Sequence, residues 1–161
     1  MSKWQWTQLL AFEGFWLLAV AGQNSWSLLT VLLLGLHFVF TPSRRADIRV
    51  LWLALLGMLV DLLLTLMGVF VFEQWPLWLG LLWVGFVLTL GHSLHWMRQF
   101  SCWLLMITGA LAGASSYLAG WKLGAVSLPL GFWTSAVILA LLWSALLPLL
   151  VRLDQRLRRE A

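Results

Sequence analysis

Asp61 stands in an apolar run from Val50 to Phe72 that carries no other charge. A carboxylate at bilayer depth costs about 2.5–3.5 kcal/mol on insertion scales, and it persists where it faces a bundle interior, a partner group or a water-filled cavity. Glu13, His37 and His92 lie in other apolar segments, and His95 follows His92 at a spacing that puts both imidazoles on one side of a helix. Carboxyl and imidazole groups buried together can serve as a proton relay, a headgroup-binding site or a general acid–base pair, because burial disfavours the charged form of each. The competing reading is a polar lock, in which Asp61 bonds to His92, Thr or Ser and fixes how the helices pack. On helical rise alone, Glu13, Asp61 and His92 share a depth range. The expectation is therefore one intramembrane polar pocket, opening toward the cytoplasm, with Asp61 near the midplane.

Other chemistries find less support. His92 and His95 with a carboxylate suit a metal ion, and His37 with His92 or His95 suits a bis-His haem. A di-iron site needs more acids than Glu13 and Asp61 supply. Neither HExxH nor GxSxG occurs, and Cys102 is the single cysteine, so disulfides and thiolate clusters are excluded. No metal and no cofactor is expected. Ser115-Ser116-Tyr117 reads as packing and hydrogen bonding rather than as a nucleophile.

The elements that position these groups are membrane helices. The 161 residues are 62% hydrophobic and 10% charged, with a mean hydropathy of +0.92, where soluble domains carry about 25% charge. The expectation is an all-α, polytopic membrane protein, one integral domain over residues 1–161. Its six spans run over about 6–22, 26–40, 50–72, 77–96, 102–119 and 128–151, and the first is retained rather than cleaved. Lys3, Arg44, Arg45, Arg49, Arg98, Arg152, Arg156, Arg158 and Arg159 fall on one side of these spans and Lys122 on the other. This bias predicts both termini in the cytoplasm. It also accounts for the net charge of +4 without nucleic acid. Among 13 tryptophans, Trp4, Trp6, Trp52, Trp96 and Trp103 fall at the inner interface, and Trp26, Trp75, Trp78, Trp121 and Trp133 at the outer one. Trp16, Trp83 and Trp143 lie deeper. Helical spacing puts Gly57, Asp61, Thr65 and Gly68 on one face, Gly85, Thr89, His92 and His95 on another, and Gly109, Gly113, Ser116, Gly120 and Gly124 on a third. Gly57, Gly68, Gly109, Gly113, Gly120 and Gly124 are read as close-packing positions between helices.

Several of these segments resemble a known family. They are Gly57-Met58-Leu59-Val60-Asp61 through Gly68-Val69-Phe70, Leu82-Trp83-Val84-Gly85-Phe86 with Leu90-Gly91-His92-Ser93-Leu94-His95-Trp96, Tyr117-Leu118-Ala119-Gly120 with Leu123-Gly124, and Trp143 with Pro148. Together they resemble small bacterial inner-membrane proteins, the domain of unknown function 2878, and Phe12-Glu13 with Trp16 resembles that family's opening motif. The likeness covers nearly the whole chain. The family pattern carries Asn, Arg and Gln where this chain has Gly91, His95 and Glu13. The resemblance thus weakens His95 and Glu13 as chemical groups and strengthens Asp61, His92 and Tyr117. It implies a multi-pass protein of the bacterial inner membrane and an association with enzymes that modify membrane fatty acids, such as cyclopropane-synthase-like methyltransferases. It implies no particular activity. The functional expectation is a lipid-handling protein with membrane lipids and a fatty-acid-modifying enzyme as partners. A small proton-coupled transporter and a non-catalytic scaffold for partner membrane proteins are the alternatives.

Overall fold

The computed structural model describes residues 3–159; the side chain of Trp4, expected at a membrane face, lies outside the described residues. Long runs of Leu, Val, Ala and Trp form the helices α1 (Lys3–Gly22), α2 (Ser27–Phe40), α3 (Arg44–Leu66), α4 (Leu77–Gly91), α5 (Cys102–Lys122) and α6 (Phe132–Arg159). A 3₁₀ turn at Gln23–Trp26 reverses the chain between α1 and α2. The reversal is visible in Thr7 and Gln8 of α1 sharing a cavity wall with Leu36 and His37 of α2. Among the described residues the one extended pairing is an antiparallel bridge between Val71 and Ser127, which ties the loop after α3 to the loop after α5.

Leu10, Leu28, Val39, Trp52, Trp103, Leu111 and Trp133 are exposed. Helices that are apolar on their outer as well as their inner faces belong in lipid. By length and composition four helical stretches suffice to cross a membrane: Arg44–Leu66, Cys102–Lys122, Phe132–Arg159 and Gln5–Phe40, the last divided into α1 and α2 by the reversal at Gln23–Trp26. Six complete spans were expected. With 14 and 15 residues, α2 and α4 fall below the about 20 that a full span needs.

The ends of four helices differ from expectation: α6 runs to Arg159, eight residues past the expected end, and so carries Asp154 and Arg158, and the other differences move candidate residues too. Helix α3 begins at Arg44 rather than Val50. Its Arg44, Arg45 and Arg49 face outward while Asp47 and Val50 turn inward, so the charged stretch is an amphipathic first turn and not a loop. The same helix stops at Leu66. Gly68 takes φ +71°, its N–H bonds to the Thr65 carbonyl, and the Val69 N–H bonds to that of Leu64. This is a Schellman motif, which requires a left-handed residue. Gly124, at φ +75°, ends α5 in the same way, through Gly124 N–H to Trp121 and Ala125 N–H to Gly120. Gly68 and Gly124 are therefore stop residues, not packing residues. The last change is in α4, which ends at Gly91. His92 is buried just beyond the helix, and His95, in a 3₁₀ turn at His95–Gln99, is exposed. The expected Gly85–Thr89–His92–His95 face is broken there.

Close packing does occur at the other glycines. A Cβ on Gly57 would overlap the Trp83 ring, and one on Gly113 would overlap the Trp143 ring. On Gly109 it would overlap the carbonyl oxygen of Trp143. Gly109–Gly113 forms a π turn within α5, a feature frequent at functional sites. Gly120 is buried at ordinary contact distance from Val126.

Candidate functional site

Asp61 is buried on α3, and each of its oxygens meets one neutral donor. Tyr117 on α5 donates its hydroxyl to Oδ1 at 2.6 Å. Trp83 on α4 donates Nε1–H to Oδ2 at 2.5 Å. Both donors belong to an aromatic cluster. Trp83 stacks on Trp143 of α6, with centroids 5.5 Å apart and planes at 2°, Phe86 meets both rings edge-on, and Phe70 stacks on Tyr117. Offset stacks and edge contacts of this kind add about 0.5–1.5 kcal/mol each beyond the area they bury. The Asp61 carboxylate thus fixes the orientation of one ring in each of two adjoining stacks.

Those rings form one wall of a cavity of about 590 Å³ between α1, α4 and α5. Phe12, Trp16 and Val20 line it from α1, Leu82, Trp83 and Phe86 from α4, and Thr108 through Gly120 from α5. Apart from the tryptophans, polar side chains on its walls are few: Glu13, Thr108, Ser115, Ser116 and Tyr117. Trp16 Nε1–H donates to Ser116 Oγ at 3.0 Å, joining α1 to α5. Asp61 itself stands behind Trp83 and Tyr117.

A second polar cluster gathers at the other end of α3, on the same face. Asp47 is fully buried. Its Oδ1 accepts from Arg158 Nη1 at 2.7 Å and lies 2.9 Å from His92 Nε2. Its Oδ2 lies 3.1 Å from His92 Nε2 and 3.3 Å from His37 Nε2, and accepts from the Thr41 hydroxyl. Arg158 Nε also donates to buried Asp154 at 2.7 Å, and Arg98 Nη2 donates to the other Asp154 oxygen at 2.6 Å. Arg98, Asp154, Arg158 and Asp47 therefore alternate in sign along one chain of contacts. Gly91 makes room for it, since a Cβ there would overlap the Arg158 guanidinium.

The single expected pocket is thus two sites. Asp47 and Asp61 are 14 residues apart on α3, about 21 Å of helical rise, and His92 lies with Asp47. Asp61 sits five residues from the end of α3 rather than at mid-span. The structure brings His37 and His92 together, with ring centroids 5.4 Å apart, and brings Tyr117 to Asp61. Glu13 is exposed at the cavity, and His95 is exposed beyond α4. Asp47, Asp154, Arg158 and Arg98 were missed. The signal for Asp47 lay in the periodicity: stepping back from Asp61 through Gly57, Ala54 and Val50 at helical spacing reaches it.

A family model matches residues 5–149. Searches of curated proteins and of solved structures give no match. The match covers nearly the whole length, both carboxylates of α3 and both imidazoles of the second cluster, and by it the chain belongs to the family described as protein of unknown function DUF2878.

Proposed function

We propose that this chain is a single-domain integral protein of the bacterial inner membrane, with both termini cytoplasmic, that holds a lipid acyl chain between α1, α4 and α5. The observation that carries this reading is the cavity. Its roughly 590 Å³ lies within the range of about 300–1,000 Å³ typical of small-ligand sites, which are mostly apolar with a few placed polar groups. It follows α5 from Thr108 to Gly120, about 18 Å of helix. That is slightly more than half of a hydrocarbon core about 30 Å thick, the depth that one leaflet's chain occupies. Ser115 and Ser116 add hydroxyls along α5. A transport role needs Asp61 to meet a passing substrate, and its position behind Trp83 and Tyr117 favours binding instead.

The protein, purified in mild detergent, is expected to retain about one acyl lipid per chain by native mass spectrometry. Ala112→Phe, which projects a ring into the cavity, should remove it. Val137→Phe, on the exposed face of α6, should not. Folded wild-type protein without lipid, or Ala112→Phe retaining it equally, would favour a scaffold. The fatty-acid-modifying partner is tested in cells: a deletion strain should change its fatty-acid profile, and wild type but not Ala112→Phe should restore it.

A further inference from the structure

We propose that His37, Asp47 and His92 form a binding site for a divalent first-row transition-metal ion of the zinc or iron(II) class. The site is independent of the acyl-chain cavity. Two imidazoles and one carboxylate are the donor set of catalytic zinc centres and of non-haem iron(II) centres. Here they come from α2, from α3 and from the segment just past α4, so no local motif announces them.

The distances fit. An ion with bonds of about 2.0–2.2 Å holds neighbouring ligand atoms roughly 2.8–3.6 Å apart, across octahedral to tetrahedral angles. Asp47 Oδ2 lies 3.3 Å from His37 Nε2 and 3.1 Å from His92 Nε2. All three ligand atoms lie within 4.8 Å of one another. The same nitrogen, Nε2, is presented by both histidines.

The contacts of the carboxylate point the same way. Arg158, Thr41, His37 and a His92 nitrogen that reaches both oxygens make five contacts with Asp47. These four groups already match the roughly four lone-pair positions of a carboxylate, two on each oxygen. Oδ2 alone faces three polar atoms. An ion between Oδ2 and the two imidazoles would replace two crowded hydrogen bonds with coordination, while Arg158 keeps Oδ1 and orients the carboxylate, as outer partners of metal ligands do. The cluster also has an approach: His37 lines a second cavity, of about 550 Å³, between α1, α2 and α4. Three protein ligands leave coordination positions for water or a bound molecule, which distinguishes catalytic from closed structural sites.

The test uses the full chain in detergent, carrying an affinity tag free of histidine. Elemental analysis of protein purified without chelator distinguishes zinc from iron. Metal-free protein titrated with Co²⁺ should take up one equivalent and develop visible d–d absorption. His92→Ala and His37→Gln should each weaken binding by more than about 100-fold, since loss even of outer-shell partners costs 10–100-fold. His37, at the edge of the cluster, is the substitution that keeps the fold if His92→Ala does not. His95→Ala, exposed and outside the cluster, should bind as wild type does. Folded wild-type protein that takes up no Co²⁺, or binding unchanged in His37→Gln, overturns the proposal and leaves the cluster as a hydrogen-bonded lock.

Discussion

Gly57→Ala adds one methyl group to the tightest contact between α3 and α4. The new Cβ would overlap the six-membered part of the Trp83 indole. That ring cannot retreat freely, because it is stacked on Trp143 and crossed by Phe86. Overpacking of this kind costs about 1–3 kcal/mol. A displaced Trp83 also takes its N–H from Asp61, a bond worth roughly 0.5–1.5 kcal/mol, with more at stake if a buried acceptor is left unpaired. Against this, Ala is favoured over Gly within a helix by about 0.8–1 kcal/mol. The balance is a loss of about 1–3 kcal/mol. Gly14 and Gly35 are the controls, since a Cβ at either meets nothing within 4 Å. Gly14→Ala and Gly35→Ala should therefore stabilise by up to about 1 kcal/mol. The assay is thermal unfolding in detergent followed by tryptophan fluorescence, at about 2–4 °C per kcal/mol for a chain of this size. Gly57→Ala should unfold several degrees below wild type. Unfolding at or above the temperature of Gly14→Ala would refute the claim that Trp83 is clamped between Gly57 and Trp143.

Tyr117→Phe keeps the ring against Phe70 but removes one of the two side-chain donors to Asp61, and should cost about 1–3 kcal/mol in the same assay. Asp154→Asn leaves the guanidinium groups of Arg98 and Arg158 without their shared counter-charge. Breaking a buried pair in this way costs about 3–5 kcal/mol, so Asp154→Asn should unfold well below wild type, by a larger margin than Tyr117→Phe. Gly91→Ala should push Arg158 off Asp47 and cost about 1–3 kcal/mol; because a long flexible side chain takes the strain, circular dichroism should show the helices intact. The two sites should respond separately: Tyr117→Phe is expected to leave Co²⁺ affinity unchanged and His37→Gln to leave lipid retention unchanged, because changes more than about 7–10 Å apart without shared partners add independently.

The helical, membrane-compatible character of the chain was legible from composition, and most helix centres from their apolar runs. The helix ends were not, and the site depended on them. Gly68 and Gly124 recur at helical spacing and so read as packing residues, yet a glycine just past a helix is also what a left-handed stop requires; spacing alone does not separate the two uses. Arg44, Arg45 and Arg49 read as a loop because charge is costly in a membrane. Long arginine side chains at a helix end carry their charge to the interface, and the helix continues beneath them. These two errors moved α3 by about six residues at each end. Asp61 left the midplane, and Asp47 joined the buried face unnoticed. His92 was recognised as a buried polar group, but its partner was sought at Asp61, since Asp47 stands among arginines outside the expected span.

The two carboxylates of α3 also differ in what surrounds them. Among the described residues Asp61 meets a phenol and an indole and no cation, at the end where Trp83 and Trp143 stack in the wall of an apolar cavity. Such a group shapes a surface: its worth lies in holding Tyr117 and Trp83 at fixed angles while staying out of the cavity. Asp47 lies at the arginine-rich end, where a buried charge has counter-charges at hand. There it gathers two imidazoles, a hydroxyl and a guanidinium around one carboxylate. A lock between helices needs one or two such contacts, as Trp16 shows by tying α1 to Ser116 of α5 with a single N–H. Five contacts, three of them from two imidazole nitrogens that are also metal donors, exceed what packing requires. That excess, more than the burial of the acid, separates the Asp47 cluster from a polar lock.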